Sequence, residues 1–312
     1  MFGVMIPGAL YVSLPYASAA DGDVKSTVEI NDSTTNGPTL SDGDYFGESV
    51  ANIGDLDGDG VDDLAVGAHL DDDGGGGRGA VHIIFMNTDG SVDSTVEIND
   101  STTNGPTLSN YDNFGMSVAN IGDLDGDGVN DLAVGAWYDD EGGASEGSNL
   151  GAVHIIFMNT DGSVDSTVEI NDSTTNGPTL SNYDNFGMSV ANIGDLDGDG
   201  VNDLAVGAWY DDEGGASEGS NLGAVHIIFM NTDGSVDSTV EINDSTTNGP
   251  TLADADNFGY SVANIGDLDG DEVDDLAVGA RGDDDGGSNR GAVHIIFMNT
   301  DGSVDSTVEI ND

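Results

Sequence analysis

Aspartates at alternate positions of a short loop are the residues of this sequence best suited to chemistry. The pattern D-x-D-x-D-x-x-x-D occurs four times, with glycines that permit a tight turn. Carboxylates spaced in this way converge on one point, and the carbonyl of the seventh residue would add a further oxygen. A flexible site made only of oxygen atoms favours Ca²⁺, because Mg²⁺ needs stricter octahedral geometry. The sequence therefore predicts about four calcium ions, one in each loop.

The candidate metal ligands are the four aspartates and the seventh-position valine of each loop. In the first loop they are Asp55, Asp57, Asp59, Val61 and Asp63. In the second loop they are Asp123, Asp125, Asp127, Val129 and Asp131. In the third loop they are Asp195, Asp197, Asp199, Val201 and Asp203. In the fourth loop they are Asp267, Asp269, Asp271, Val273 and Asp275.

These loops differ from the EF-hand, which needs a glutamate at the twelfth position and flanking helices. The twelfth residues here lie in predicted strands and are Val66, Val134, Val206 and Val278. The ninth aspartate must then close the site, so each loop is predicted to be a calcium-binding hairpin. One such loop could equally be a solvated acidic turn, but four in the same register disfavour that alternative, since unneutralised carboxylates repel. Glu272 replaces the sixth-position glycine of the fourth loop. If that position needs a positive φ, the fourth site should bind more weakly.

The loops belong to an internal repeat that predicts the fold. Residues 109–180 are identical to residues 181–252, and related copies flank both. Each copy has about four β-branched or alternating runs, separated by Gly, Asn, Asp and Pro, and none has a sustained helical period. Four strands per copy suit one blade of a propeller. We therefore predict an all-β fold of propeller-type blades, each of about four antiparallel strands with a calcium-binding hairpin loop.

The repeat predicts four blades preceded by half of another. The blades are expected at 33–100, 101–172, 173–244 and 245–312, and the half-blade at 1–32. STVEIND occurs five times whereas an FG pair followed by an acidic loop occurs four times, and Gly8–Leu14 resembles a diverged GAVHIIF strand. The alternative for residues 1–20 is a signal-peptide remnant ending near Ala17–Ala19, followed by an outer strand. The spare strand indicates either a piece of a larger ring or pairing with another subunit.

Composition excludes several classes of function. Sixty Asp and Glu against four Lys and Arg give a formal net charge of −56, which excludes nucleic acid and anionic membranes as partners. Pro7 and Pro15 argue against membrane insertion of the N-terminal segment. The chain has no cysteine and one lysine, and its copies are nearly identical. An active site needs different residues in different roles, so the sequence predicts that the protein is not an enzyme.

Two further motifs flank each acidic loop, and together with it they resemble a known repeat. The FG pairs are Phe46-Gly47, Phe114-Gly115, Phe186-Gly187 and Phe258-Gly259. The strand that follows each loop ends in Gly67-Ala68-His69, Gly135-Ala136-Trp137, Gly207-Ala208-Trp209 or Gly279-Ala280-Arg281. This order resembles the FG-GAP repeat of integrin α-subunit propellers and of bacterial and archaeal surface proteins, although the proline of GAP is absent from all four copies.

The resemblance implies a β-propeller with Ca²⁺ between the first two strands of each blade, located outside the cell or at its surface. It implies a non-catalytic role in adhesion or scaffolding, with a protein or glycan ligand. Two alternatives remain open at this point. One is a self-assembling fibre or sheath subunit, a homo-polymer joined by strand exchange at its ends. The other is a propeller module of a larger surface enzyme.

Other conspicuous residues receive structural interpretations. A second acidic cluster follows each GA pair, at 71–73, 139–141, 211–213 and 283–285, and is predicted to be a solvated loop. Trp137-Tyr138 and Trp209-Tyr210 are expected to pack on a neighbouring blade. One histidine in each predicted outer strand is expected to pack between blades: His82, His154, His226 and His294.

Two short motifs carry little weight. The tripeptide Arg281–Asp283 matches RGD by chance, because the chain is rich in Gly and Asp. The sequence N-D-S is either a glycosylation acceptor or a simple turn, and it begins at Asn31, Asn99, Asn171 and Asn243.

Overall fold

The computed structural model describes residues 24, 26–140, 148–212, 220–285 and 287–311 of the chain. Within these ranges the chain forms sixteen strands in four antiparallel sheets. The described residues form no helix, and so none that could cross a membrane. The signal-peptide alternative and the GAVHIIF-like segment fall on residues 1–23, outside the described residues.

Each sheet contains four strands in chain order. The first sheet contains β1 (Val50–Gly54), β2 (Asp63–Ala68), β3 (Ala80–Met86) and β4 (Val92–Ile98). The second contains β5 (Phe114–Gly122), β6 (Asp131–Ala136), β7 (Ala152–Met158) and β8 (Val164–Ile170). The third contains β9 (Phe186–Asn192), β10 (Leu204–Ala208), β11 (Ala224–Met230) and β12 (Val236–Ile242). The fourth contains β13 (Phe258–Gly266), β14 (Asp275–Ala280), β15 (Ala292–Met298) and β16 (Val304–Ile310).

The four sheets are β-propeller blades, as the strand pattern predicts. Their registers are equivalent: Val66 pairs with His82 in the first sheet, as Val134 pairs with His154 in the second. In each blade a short turn closes the hairpin of the third and fourth strands; in the first, Gly90 donates its N–H to the Asn87 carbonyl at 2.9 Å with a φ of 83°. Such an up-and-down order places the first and third connections of a blade at one end, and the second at the opposite end.

Apolar side chains between successive sheets form the core. Val81 and Ile83 of the first sheet pack with Phe114, Val134 and Ile156 of the second. Equivalent clusters join the second sheet to the third and the third to the fourth. The third strands of the first three sheets are therefore buried on both faces, which confirms the interpretation of their nearly continuous apolar sequence.

Adjacent sheets approach most closely at paired glycines. A Cβ atom added to Gly67 would lie 1.9 Å from the carbonyl oxygen of Gly115 in the next sheet. Ser49 Oγ donates to that same oxygen at 2.9 Å. The same contact recurs between Gly135 and Gly187, and between Gly207 and Gly259. The glycines of the FG and GA motifs are thus needed because the two backbones touch there.

This contact predicts different costs for one substitution at two equivalent positions. Gly207→Ala should lower the free energy of unfolding by about 1 to 3 kcal/mol, because the methyl group would collide with backbone atoms of the next sheet. Gly279→Ala should cost less than about 1 kcal/mol, because only Ser261 atoms, led by the rotatable Oγ, lie near its Cβ. Urea denaturation of both variants measures the difference, and equal losses would contradict the proposed close packing.

Candidate metal centres

The four predicted loops connect the first and second strands of their sheets. They occupy residues 55–62, 123–130, 193–203 and 267–274. Because the sheets stack in the same orientation, the loops lie at one end of the stack. The twelfth-position valines lie inside β2, β6, β10 and β14, so the distinction from the EF-hand is confirmed.

Backbone amides orient the carboxylates of the first loop. Gly60 N–H donates to Asp55 Oδ2 at 2.9 Å, and Asp59 N–H donates to Asp57 Oδ1 at 3.0 Å. Carboxylate oxygens of Asp55, Asp57 and Asp63 lie within 4.8 Å of one another. Ligands on opposite sides of one Ca²⁺ ion are about 5 Å apart. The three oxygens therefore fit a single coordination sphere.

The other three loops bring together their first three aspartates, again with oxygens within 4.8 Å. These groups are Asp123, Asp125 and Asp127, then Asp195, Asp197 and Asp199, and then Asp267, Asp269 and Asp271. The remaining candidate ligands lie outside the compact groups, and their role as metal ligands stays a prediction. They are Asp59, Asp131, Asp203 and Asp275, with the carbonyls of Val61, Val129, Val201 and Val273.

The ninth-position aspartate has a structural role that sequence reasoning missed. In the second loop Asp131 accepts hydrogen bonds from Leu124 N–H at 2.9 Å and from Met158 N–H at 3.0 Å, one on each carboxylate oxygen. Met158 lies in the third strand, so this aspartate ties the loop to its sheet. Burial, above all, raises the pKa of Asp131 to about 6, although these amides oppose the shift, and it raises the pKa of Asp203 to about 6 against the equivalent amides of Leu196 and Met230.

The eighth position of two loops ties them to the preceding sheet. Asn130 donates from Nδ2 to the Ile53 carbonyl at 3.0 Å, and Asn202 donates to the Ile121 carbonyl at 2.9 Å. In the fourth loop this position is Asp274, which instead accepts a bond from Asn264 of its own sheet. The conformation of the second and third loops is thus coupled to packing between blades.

The donor set suits a hard cation. Only oxygen atoms converge in each loop, and in the second, third and fourth loops all three grouped aspartates are exposed to solvent. The three arginines lie at the opposite end of the stack, in the connections between second and third strands, so none lies in a loop to neutralise it. They are Arg78, Arg281 and Arg290. The loops can therefore bind a divalent cation that offsets carboxylate repulsion.

The second acidic cluster differs from the predicted solvated loop, because its first aspartate is buried in every blade. These residues are Asp71, Asp139, Asp211 and Asp283. Asp71 is held by the N–H of Asp73 at 2.9 Å, and burial raises its pKa to about 6. His82 Nε2 lies 4.0 Å from Asp71 Oδ2, but burial lowers the pKa of His82 to about 4. The histidine is therefore neutral at neutral pH and does not compensate the carboxylate.

The histidines lie in third strands rather than outer strands, and their ring partners lie in their own sheets. Phe114 and His154 meet edge to face, with ring centroids 5.4 Å apart. Phe114 pairs with Ala136, which pairs with Ala152, two residues from His154. This contact does not test the packing of the histidines between blades, which stays a prediction.

Two other predictions about side-chain packing are confirmed. The rings of Trp137 and Trp209, in neighbouring blades, lie 5.9 Å apart, and those of Trp209 and Tyr260 lie 5.3 Å apart. The N-D-S motifs form turns; Asn99 Oδ1, for example, accepts the Ser101 N–H at 2.8 Å.

The fourth loop contains the strain that its sequence implies. The φ of Glu272 is 72°, whereas the equivalent Gly200 has a φ of 96°. A non-glycine residue in this region costs roughly 1–2 kcal/mol. We expect Glu272→Gly to raise the unfolding free energy by about 1 kcal/mol and to tighten Ca²⁺ binding at this loop.

The reciprocal variant, Gly200→Glu, should cause a similar loss in the third loop. Urea denaturation with and without Ca²⁺ measures both effects. If neither substitution changes the free energy of unfolding, the backbone at the sixth position is unstrained.

The buried Asp71 predicts a dependence of stability on pH. Its pKa of about 6 exceeds the ordinary value of 3.8, so folding disfavours the ionised form above about pH 6. That penalty shrinks as the pH falls from about 6 to about 4, where the folded chain is protonated at this residue and the unfolded chain is about half protonated. Asp71→Asn should therefore stabilise the protein at neutral pH by about 1–2 kcal/mol, and should have little effect near pH 4.

Urea denaturation in EDTA at both pH values tests this. Asp93→Asn is the control, because Asp93 is exposed on β4 and its substitution removes the same charge. If both substitutions change the free energy of unfolding equally at both pH values, burial does not disfavour the ionised Asp71 carboxylate.

Comparison with known proteins identifies the repeat. The FG-GAP repeat matches residues 46–84, 114–156, 186–228 and 258–296, which together are just over half of the chain. Integrin alpha-PS2 of Drosophila melanogaster is 30% identical over 255 residues, which are 81% of this chain and 16% of that protein. Integrin alpha-5 of Xenopus laevis is 36% identical over 172 residues, or 53% of this chain and 15% of that protein.

Integrin alpha pat-2 of Caenorhabditis elegans is 29% identical over 251 residues, which are 77% of this chain and 18% of that protein. The chain thus spans less than a fifth of the length of these relatives. Each of the four matched repeats covers the acidic loop, the first two strands and most of the third strand of one sheet, and the fourth strands lie outside the matched residues. The chain belongs to the FG-GAP repeat family and is an integrin-like β-propeller protein.

Proposed function

We propose that this chain is a non-catalytic, extracellular calcium-binding protein that acts in cell-surface adhesion or scaffolding. The observation that carries the proposal is the convergence of three carboxylates in each of four FG-GAP loops. Similarity to integrin alpha chains supports a place at the cell surface. Since the similarity covers less than a fifth of those proteins, the role outside the cell is our inference.

Calcium would neutralise part of the negative charge of the chain and would cross-link the first two strands of each blade. About four ions would reduce the formal net charge from −56 to −48 and would offset the repulsion inside each loop. Two contacts connect the conformation of a loop to the rest of the fold. Asp131 connects the second loop to β7, and Asn130 connects it to the first sheet. An ordered loop thereby stiffens both its own blade and the junction with the preceding blade.

The opposite end of the stack offers a surface for a protein ligand. Trp137, Trp209 and Tyr260 form a row of aromatic rings across three blades, in which Trp209 is buried and the other two rings are partly exposed. The guanidinium of Arg281 lies 4.9 Å above the ring of Tyr260, so this RGD arginine is engaged within the chain. Aromatic and arginine side chains on a rigid scaffold are typical of protein interfaces. The identity of residues 109–180 with residues 181–252 supports binding rather than catalysis, because an active site needs different residues in different roles.

Calcium titration of the purified chain tests the metal-binding part of the proposal. Isothermal titration calorimetry should detect about four sites in the wild type. Asp125→Asn combined with Asp127→Asn should remove one site, because both residues belong to the second compact group. The control, Asp165→Asn, removes an exposed carboxylate on β8 and should retain every site. Loss of no site in the double variant would contradict the assignment.

Adhesion requires a separate measurement. Beads coated with the chain should retain cells of its own host in Ca²⁺ and release them in EDTA. Beads coated with a four-loop variant, with both central aspartates of each loop changed to asparagine, should bind few cells. Equal retention by both kinds of beads, with or without Ca²⁺, would contradict a calcium-dependent adhesive role.

A further inference from the structure

Two buried polar atoms of the first blade face each other without a hydrogen bond. Asp71 Oδ2 and His82 Nε2 lie 4.0 Å apart, and the two residues are 2% and 1% exposed. Within the described part of the chain, neither atom has a hydrogen-bond partner. Buried polar atoms are nearly always paired, and an unpaired one costs free energy, so two of them side by side require an explanation.

The charges that act on the Asp71 carboxylate come from other carboxylates. They belong to Glu97, Asp44 and Asp73. The arginine of the same loop, Arg78, pairs instead with Asp100. His82 is neutral at neutral pH and does not compensate Asp71. A cation bound among these carboxylates would offset their repulsion.

Two further carboxylates converge on Asp71. One oxygen atom each of Asp71, Asp73 and Glu97 lies within 4.8 Å of the others. The Asp73 N–H donates to Asp71 Oδ1 at 2.9 Å, so Oδ2 is the oxygen that faces the histidine. Glu97 pairs with His82 in the register of β3 and β4. The loop and the sheet thus bring three carboxylates and one imidazole to one place.

This donor set differs from that of the four acidic hairpin loops. Those loops offer oxygen atoms alone, which favour Ca²⁺. An imidazole nitrogen favours a transition-metal ion such as Zn²⁺, which binds histidine nitrogen and carboxylate oxygen at about 2.0–2.2 Å. Two such bonds span about 4.2 Å, so one ion fits between His82 Nε2 and Asp71 Oδ2. Asp73 and Glu97 would bring the ligands to four, the usual number for Zn²⁺.

We propose that Asp71, Asp73, Glu97 and His82 form a binding site for a divalent transition-metal ion, for which Zn²⁺ is the probe. The ion would join the connection between β2 and β3 to the third and fourth strands of the blade. This end of the stack is opposite to the hairpin loops, so the site is separate from the predicted calcium sites. The proposal goes beyond the proposed function, because neither adhesion nor calcium binding requires such an ion.

The approach of a histidine to an aspartate recurs in the next two blades. His154 Nε2 lies 3.8 Å from Asp139 Oδ2, and His226 Nε2 lies 3.8 Å from Asp211 Oδ2. In both blades the residue equivalent to Asp73 lies outside the described residues, so the proposal concerns the first blade.

The fourth blade provides matched controls. Its equivalent carboxylates are not among the groups that converge within 4.8 Å in the described part of the chain. They are Asp283, Asp285 and Glu309. His294 is the histidine equivalent to His82 and is also buried. The two blades therefore carry the same residue types in different arrangements.

Zinc titration of the whole chain tests the proposal, with Ca²⁺ in excess to compete for the hairpin loops. Isothermal titration calorimetry should show one Zn²⁺ fewer per chain for Asp73→Ala than for the wild type. Asp285→Ala is the control and should bind as many Zn²⁺ ions as the wild type. Asp73 and Asp285 are both exposed, so each substitution removes one surface charge and should leave the β-sheet circular dichroism unchanged.

A second measurement uses the wild type and does not depend on the folding of a variant. In ¹⁵N NMR spectra of the imidazole rings, Zn²⁺ should shift the Nε2 resonance of His82 and should leave that of His294 in place. The proposal is overturned if Asp73→Ala and Asp285→Ala bind equal numbers of Zn²⁺ ions, or if the His82 resonance does not respond. Either result would favour a water molecule, rather than an ion, between His82 and Asp71. Binding of Ca²⁺ but not Zn²⁺ by these carboxylates would also contradict the proposal, because the imidazole would then not be a ligand.

Discussion

Repulsion between carboxylates is the constraint on which the rest of this structure depends. The chain has sixty acidic residues and four basic ones, and its acidic loops lie at the two ends of the stacked sheets. Apolar clusters and hydrogen bonds between uncharged groups, such as Ser49 Oγ with the Gly115 carbonyl, join the sheets. Ion pairs cannot balance the ends, because four basic residues stand against sixty acidic ones. We propose that cations from solution supply the balance, since the acidic loops bring carboxylate oxygens together within 4.8 Å of one another.

The loops are coupled to the blades through backbone contacts rather than through side-chain packing alone. The ninth aspartate of each loop accepts hydrogen bonds from its own loop and from the third strand, as Asp63 does from Leu56 and Met86. Between blades, the close approach of Gly67 to Gly115 leaves no room for a side chain. A cation that orders one loop thereby acts on a scaffold with little freedom to adjust. This explains why the same few residues recur in every copy.

The repeat made much of this architecture predictable. The number of strands, their order and the positions of the loops follow from two features of the sequence. Apolar and polar residues alternate in each strand, and the turn residues recur at the same position in every copy. The contact of Asp131 with Met158 was not predictable, because 27 residues separate the two in the sequence. Burial of Asp71 depends on how its loop folds back on the blade, which composition does not show. Exposure of Ile310 depends on the position of its blade in the stack, because the strand sequence is the same in every blade.

The central claim is that calcium in the four loops stabilises the folded blades. It is tested most directly by measuring the free energy of unfolding as a function of free Ca²⁺ at fixed ionic strength. Ions that bind only the folded chain raise this free energy in proportion to the logarithm of their concentration, by about 1.4 kcal/mol per site for each tenfold increase above the dissociation constant. The account predicts a slope that corresponds to about four ions. A slope of zero, with the β-sheet circular dichroism unchanged in EDTA, would contradict it.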